Sequence, residues 1–78
     1  MRSARIVNTT VLGNVLRAAR MARGLNQREL AMELGVSQRS IVDLERGKPT
    51  KAMERLFEVM RETGVTLYAE VDDESADR

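Results

Sequence analysis

The sequence predicts an all-α domain of four to five short helices that ends in one short β-strand. Three observations carry this prediction. Four amphipathic stretches each open on a side chain suited to capping a helix and each close on a glycine, at Gly24, Gly35, Gly47 and Gly64. After Gly64 the apolar period changes from helical to alternating. The chain has 78 residues, a length that buries only a modest core, so core added by a second copy is expected to matter.

Residues 1–8 read as an N-terminal arm carrying Arg2, Arg5 and an Ile6-Val7 pair. A helical body over residues 9–63 follows. Asn8 or Thr9 caps a first helix that runs to about Arg23, with Leu12, Val15, Leu16 and Ala19 on one side and Arg17 on the other. Asn26 caps the second helix, and Glu29, three residues on, completes a capping box. Leu30, Ala31 and Leu34 are expected to face inward, and Gly35 ends the helix sharply. Val36 packs in the turn. Ser37 caps a third helix through about Arg46, with Ile41 and Leu44 inward. Thr50 caps a fourth helix to about Glu62.

The fourth helix carries Ala52, Met53, Leu56, Phe57, Val59 and Met60, an apolar stripe covering nearly half its circumference. One small core does not need so wide a stripe, so part of it is expected to form an interface. Residues 64–71 then alternate, with Val65, Leu67, Ala69 and Val71 on one side as the candidate dimerisation strand. A strand cannot leave its backbone polar groups unpaired. Its partner is either the N-terminal arm or the same strand of a second copy. Residues 72–78 form an acidic, polar tail whose composition predicts disorder.

Composition excludes several functions. With no cysteine and no histidine, the chain has no disulfide, thiolate nucleophile or imidazole base, and almost no route to zinc. No metal site and no cofactor are predicted, and an enzyme is the weakest reading. No apolar run approaches the ~20 residues that span a bilayer, so a membrane is not an expected partner and the expected location is the cytoplasm, at the nucleoid. The formal net charge of +1 hides a split: residues 1–51 carry 10 basic and 4 acidic side chains, residues 52–78 carry 3 and 8. The basic part suits a polyanion.

A glycine turn of this length sets the second and third helices at a steep angle, the helix-turn-helix arrangement. The outward face of the third helix centres on Arg39 and Arg46, flanked by Val42 and Asp43, with Gln38 in the first turn. A solvated amphipathic helix would carry a similar face; the clustered caps, the turn and the basic bias favour DNA. Arg can donate twice to guanine, Gln can bond adenine, Val42 can touch a thymine methyl, and Asp43 can accept from cytosine or orient Arg39. Gln27 and Arg28 stand at a helix N-terminus, where open N–H groups and the dipole favour phosphate. Ser37, Ser40, Lys48 and Lys51 complete the candidate phosphate set, which positions the protein without reading sequence.

The segment Gly24-Leu25-Asn26-Gln27-x-Glu29-Leu30-Ala31-x3-Gly35-Val36-Ser37-x3-Ile41-x2-Leu44-Glu45-x-Gly47 resembles the xenobiotic-response-element and phage-repressor helix-turn-helix family. The likeness extends from about residue 12 to 62 and implies a lambda-repressor-like domain. It implies DNA contacts at Gln27, Gln38, Arg39 and Asp43, and an ion pair between Arg20 and Glu45 that is structural rather than a DNA contact. The Ile-containing arm, the C-terminal strand and the acidic tail resemble HipB-like antitoxins. That resemblance implies strand pairing across a homodimer, autorepression at an inverted-repeat operator in double-stranded DNA, and a HipA-like kinase toxin as partner. A stand-alone phage-type or controller-type repressor remains open. So does a protein-interaction module that kept the fold and lost DNA binding.

Overall fold

The computed structural model describes residues 2–72; Met1 and residues 73–78, which hold most of the predicted acidic tail, lie outside the described residues. The order of elements is β1 (Arg2–Ile6), α1 (Thr9–Ala22), α2 (Gln27–Leu34), α3 (Gln38–Glu45), α4 (Lys51–Thr63) and β2 (Leu67–Val71). There are four helices among the described residues, the lower of the two expected numbers.

Each helix starts where its cap predicts. The Asn8 side chain accepts from the Val11 amide at 2.9 Å, Ser37 Oγ from Ser40 at 3.0 Å and Thr50 Oγ1 from Met53 at 3.2 Å. At α2 the capping box is complete: Asn26 Oδ1 accepts from the Glu29 amide at 2.7 Å, and Glu29 Oε1 accepts from the Asn26 amide at 2.8 Å. A cap of this kind is worth about 1 kcal/mol. It matters because α2 and α3 span only eight residues each, too short to persist alone in water.

Of the two partners left open for the C-terminal strand, it takes the N-terminal arm of the same chain. β1 and β2 pair antiparallel, with Ala4 opposite Ala69 and Ile6 opposite Leu67. Val65 stands before β2 rather than in it, and is exposed. Directly opposite residues share a sheet face, so Ala4, Ile6, Leu67, Ala69 and Val71 form one apolar side. Ile6 is 2% exposed, and together with Phe57 and Met60 of α4 it forms the core cluster, flanked by Ala4, Val11, Leu12, Val15 and Ala69.

This placement of α4 explains where inward expectations fail. Leu16, Leu34, Val36 and Leu44, expected in the core, remain 40%, 62%, 45% and 45% exposed. Phe57 and Met60 seat α4 against the strands and the adjoining face of α1. The apolar side shared by α1, α2 and α3 is therefore left uncovered, and only Ala31 and Ile41 are buried on α2 and α3 among their apolar residues. Helical periodicity told which way these side chains face, but not whether anything meets them.

Two glycines fix how closely the elements meet. A Cβ at Gly13 would lie 2.5 Å from the Glu45 carbonyl oxygen and 2.7 Å from that of Leu44, so α1 touches the end of α3 only because this side chain is absent. Gly47 has φ +73°, and a Cβ there would meet Thr10 Cα at 2.6 Å. Thr9 Oγ1 donates to the Gly47 carbonyl at 2.7 Å and ties the start of α1 to the exit from α3.

Candidate nucleic-acid interface

α3 is anchored from beneath by one ion pair. Arg20 of α1 donates through Nε to Glu45 Oε2 at 2.6 Å and through Nη2 to Oε1 at 3.0 Å. Its Nη1 donates to the Leu25 carbonyl at 2.7 Å, so the guanidinium also holds the loop into α2. The two side chains retain 10% and 5% of their exposure. Hydrogen bonding to Glu45 raises the Arg20 pKa against the cost of burial. The Arg20 hydrogen bond likewise holds the Glu45 carboxyl below the ordinary range, again opposed by burial and helped by Gln27. The predicted pairing is thus present, as a geometric clamp rather than as part of the outer face.

Gln27 has a part in the same clamp. Its Nε2 donates to Glu45 Oε1 at 3.1 Å, so this amide group already serves the protein interior. The capping box uses the amides of Asn26 and Glu29. What the α2 N-terminus offers to a phosphate is then the backbone N–H groups of Gln27 and Arg28, with the exposed Arg28 side chain beside them. α2 and α3 meet through the Gly35 turn, which has φ +68° and passes straight into the Ser37 cap.

The outward side of α3 carries the residues that the sequence assigned to base reading. Gln38, Arg39 and Arg46 are exposed, and Val42 and Asp43 are half-buried. Asp43 gathers two cations: Arg39 Nε stands 3.3 Å from its Oδ1, one helical turn back, and Lys48 Nζ stands 3.8 Å from its Oδ2. The arginine and the lysine retain 73% and 64% of their side-chain exposure, so these are surface pairs that orient more than they stabilise. Ser37 and Ser40 share a hydroxyl–hydroxyl bond of 2.8 Å at the start of the helix. Lys51 is exposed at the first turn of α4, apart from the α3 face.

One part of this surface was missed from sequence. Arg46, at the C-cap of α3, borders a shallow concavity with Asn14, Arg17, Asn26, Gln27 and Val42. Arg17 and Asn14 belong to the outer side of α1, and Arg17 acts on the Glu45 carboxyl through its charge. Their signal was available in the place of Arg17 one turn before Arg20. It becomes legible only once α1 is known to end beside α3. The concavity brings two arginines to the open N-terminus of α2, a donor-rich notch suited to a phosphate.

The clustered donors describe a surface for a polyanion rather than a reaction centre. Among the described residues there is no group of three or more carboxylates placed to hold a metal ion, and no helix is long and apolar enough to cross a membrane. Comparison with known proteins agrees with the geometry. The helix-turn-helix family matches residues 16–69. A curated relative, described as an uncharacterised HTH-type transcriptional regulator, y4mF, of Sinorhizobium fredii (strain NBRC 101917 / NGR234), is 38% identical over 63 residues, 81% of this chain and 83% of that protein. No solved structure matches the chain.

Proposed function

The chain belongs to the helix-turn-helix family, and from that premise we propose that it is a sequence-specific repressor that binds operator DNA as a dimer. It is a DNA-binding transcriptional regulator, as its family membership and its relative support. The observation that carries the finer reading is the exposed Arg39–Asp43 pair on α3, standing beside the open amides at the start of α2. α3 enters the major groove. Arg39 donates to guanine, Asp43 sets its direction, and Gln38, Val42 and Arg46 read the neighbouring bases. Arg28, Ser37, Ser40, Lys48, Lys51 and the Gln27 backbone hold phosphates and fix the register.

The regulatory setting we propose is autorepression by an antitoxin of the HipB-like type that binds a HipA-like kinase toxin. The features favouring it are the flanks of the helical body, a strand at each end of the described chain and an acidic C-terminal sequence. Two copies related by a two-fold axis would present their α3 helices to half-sites about 34–36 Å apart, so the operator is an inverted repeat. Selection of bound DNA from a random pool, with stoichiometry measured alongside, tests this reading. Recovery of a palindromic site bound by two chains supports it. Failure to enrich any sequence sinks the repressor and leaves an interaction module. Enrichment without capture of the kinase encoded beside it favours a stand-alone repressor.

A further inference from the structure

Two apolar surfaces are left without a cover, and each has the shape the other needs. The first is a groove bounded by Leu12 and Leu16 of α1, Leu34 of α2, Leu44 of α3 and Val71 of β2. The second is a ridge on α4. Phe57 and Met60 are buried on one side of that helix, whereas Leu56 and Val59 on the adjoining side are each 50% exposed. Ala52, Leu56, Val59 and Thr63 follow one another at intervals of four, three and four residues, the spacing by which one helix lies along a groove between others. We propose that two copies of this chain associate by seating the α4 ridge of each in the α1–α2–α3 groove of the other. The proposal rests on the two-copy reading above and supplies its contact surface.

Three further observations select a second copy as the occupant. The chain's own α4 is held elsewhere: Phe57 and Met60 are packed on Ile6, and only five residues separate the end of α3 from the start of α4. The chain's remaining C-terminal segment, Asp73-Glu74-Ser75-Ala76-Asp77-Arg78, has no large apolar side chain to fill such a groove. The charges beside the two surfaces also complement each other. Arg55 and Glu62 flank the solvent side of the ridge, while the groove runs between Arg23 on α1 and Glu70 on β2. Because each copy carries both surfaces, the exchange is isologous and closes at two. It also gives α1, α2 and α3 the fourth wall that a packed helical layer requires.

The chain has no cysteine, so single-cysteine variants report the contact directly. Leu34→Cys and Leu16→Cys mark the groove and Val59→Cys marks the ridge. Light scattering of the unmodified chain should give the mass of two copies. An equal mixture of a groove variant with Val59→Cys, treated with a short bismaleimide linker, should give a crosslinked dimer that Val59→Cys alone does not. Strong crosslinking of Val59→Cys alone would put α4 against α4 and overturn the proposal. A dimer in which neither mixture crosslinks would overturn this geometry while leaving the two-copy repressor intact. An intrachain bridge in a monomeric Leu34→Cys/Val59→Cys double variant would assign the groove to the chain's own helix. A monomeric mass for the unmodified chain would remove the two-copy reading as well.

Discussion

Arg20 and Glu45 lie 25 residues apart in the chain and meet in a two-pronged ion pair, at 2.6 and 3.0 Å, beneath the helix that faces DNA. Breaking one side of such a pair leaves a nearly buried charge without its partner, at a cost of about 3–5 kcal/mol. Arg20→Ala should show a loss of that order in urea unfolding. The double replacement Arg20→Met with Glu45→Leu should recover most of it. A double variant as unstable as the single one would mean that the pair contributes more than its geometry.

The same pair makes stability depend on acid. The folded Glu45 carboxyl titrates below its ordinary range, so the unfolded chain takes up this proton more readily, and stability rises with pH across the window between the two values. The contribution should be complete above about pH 5, beyond the ordinary glutamate value near 4.3, and be lost as pH falls through the depressed folded value. Glu45→Gln should flatten this part of the stability profile, measured by denaturant titration at a series of pH values.

Base reading and phosphate holding separate by mutation at the Asp43 cluster. Arg39→Ala should relax preference at one base-pair position by about 1–3 kcal/mol. Lys48→Ala should weaken all sequences alike and reduce the salt slope by about 1. Asp43→Asn releases both cations, so it should tighten non-specific binding while blurring the site. Binding isotherms on a selected site and a scrambled one, at several salt concentrations, check all three. Equal behaviour of the arginine and lysine variants would contradict the assignment.

Gly13→Ala should be among the most damaging small substitutions. Its added methyl meets backbone carbonyls of α3 at 2.5 and 2.7 Å, with no flexible side chain to yield. Overpacking of this kind costs about 1–3 kcal/mol, and it also pulls Arg20 from Glu45. Thermal unfolding should register the loss; an unchanged midpoint would show that α1 can move off α3 freely.

Removing residues 65–78 should do more than weaken a dimer. It leaves β1 without its partner and uncovers Ile6, the most buried residue of the core. The truncated chain should lose its cooperative melt by circular dichroism. Retention of a sharp transition would mean that the sheet is an accessory to the helical body.

Much of this was legible because it is local. A cap joins residues three apart, a glycine ends its own helix, and the outward face of α3 follows from the 3.6-residue period, so Asn26, Gly35, Arg39 and Asp43 could be assigned in order along the chain. The Arg20–Glu45 pair came instead from family resemblance, since nothing in either helix alone joins residues 25 apart. What tertiary structure decided is wherever two distant segments compete for one surface. It gave β2 to the N-terminal arm, turned the Gln27 amide inward onto Glu45, and set Arg17 beside Arg46. It also committed Phe57 and Met60 to the strands, leaving Leu16, Leu34 and Leu44 uncovered. Periodicity gives the direction of a side chain; only packing among distant segments fixes what it touches.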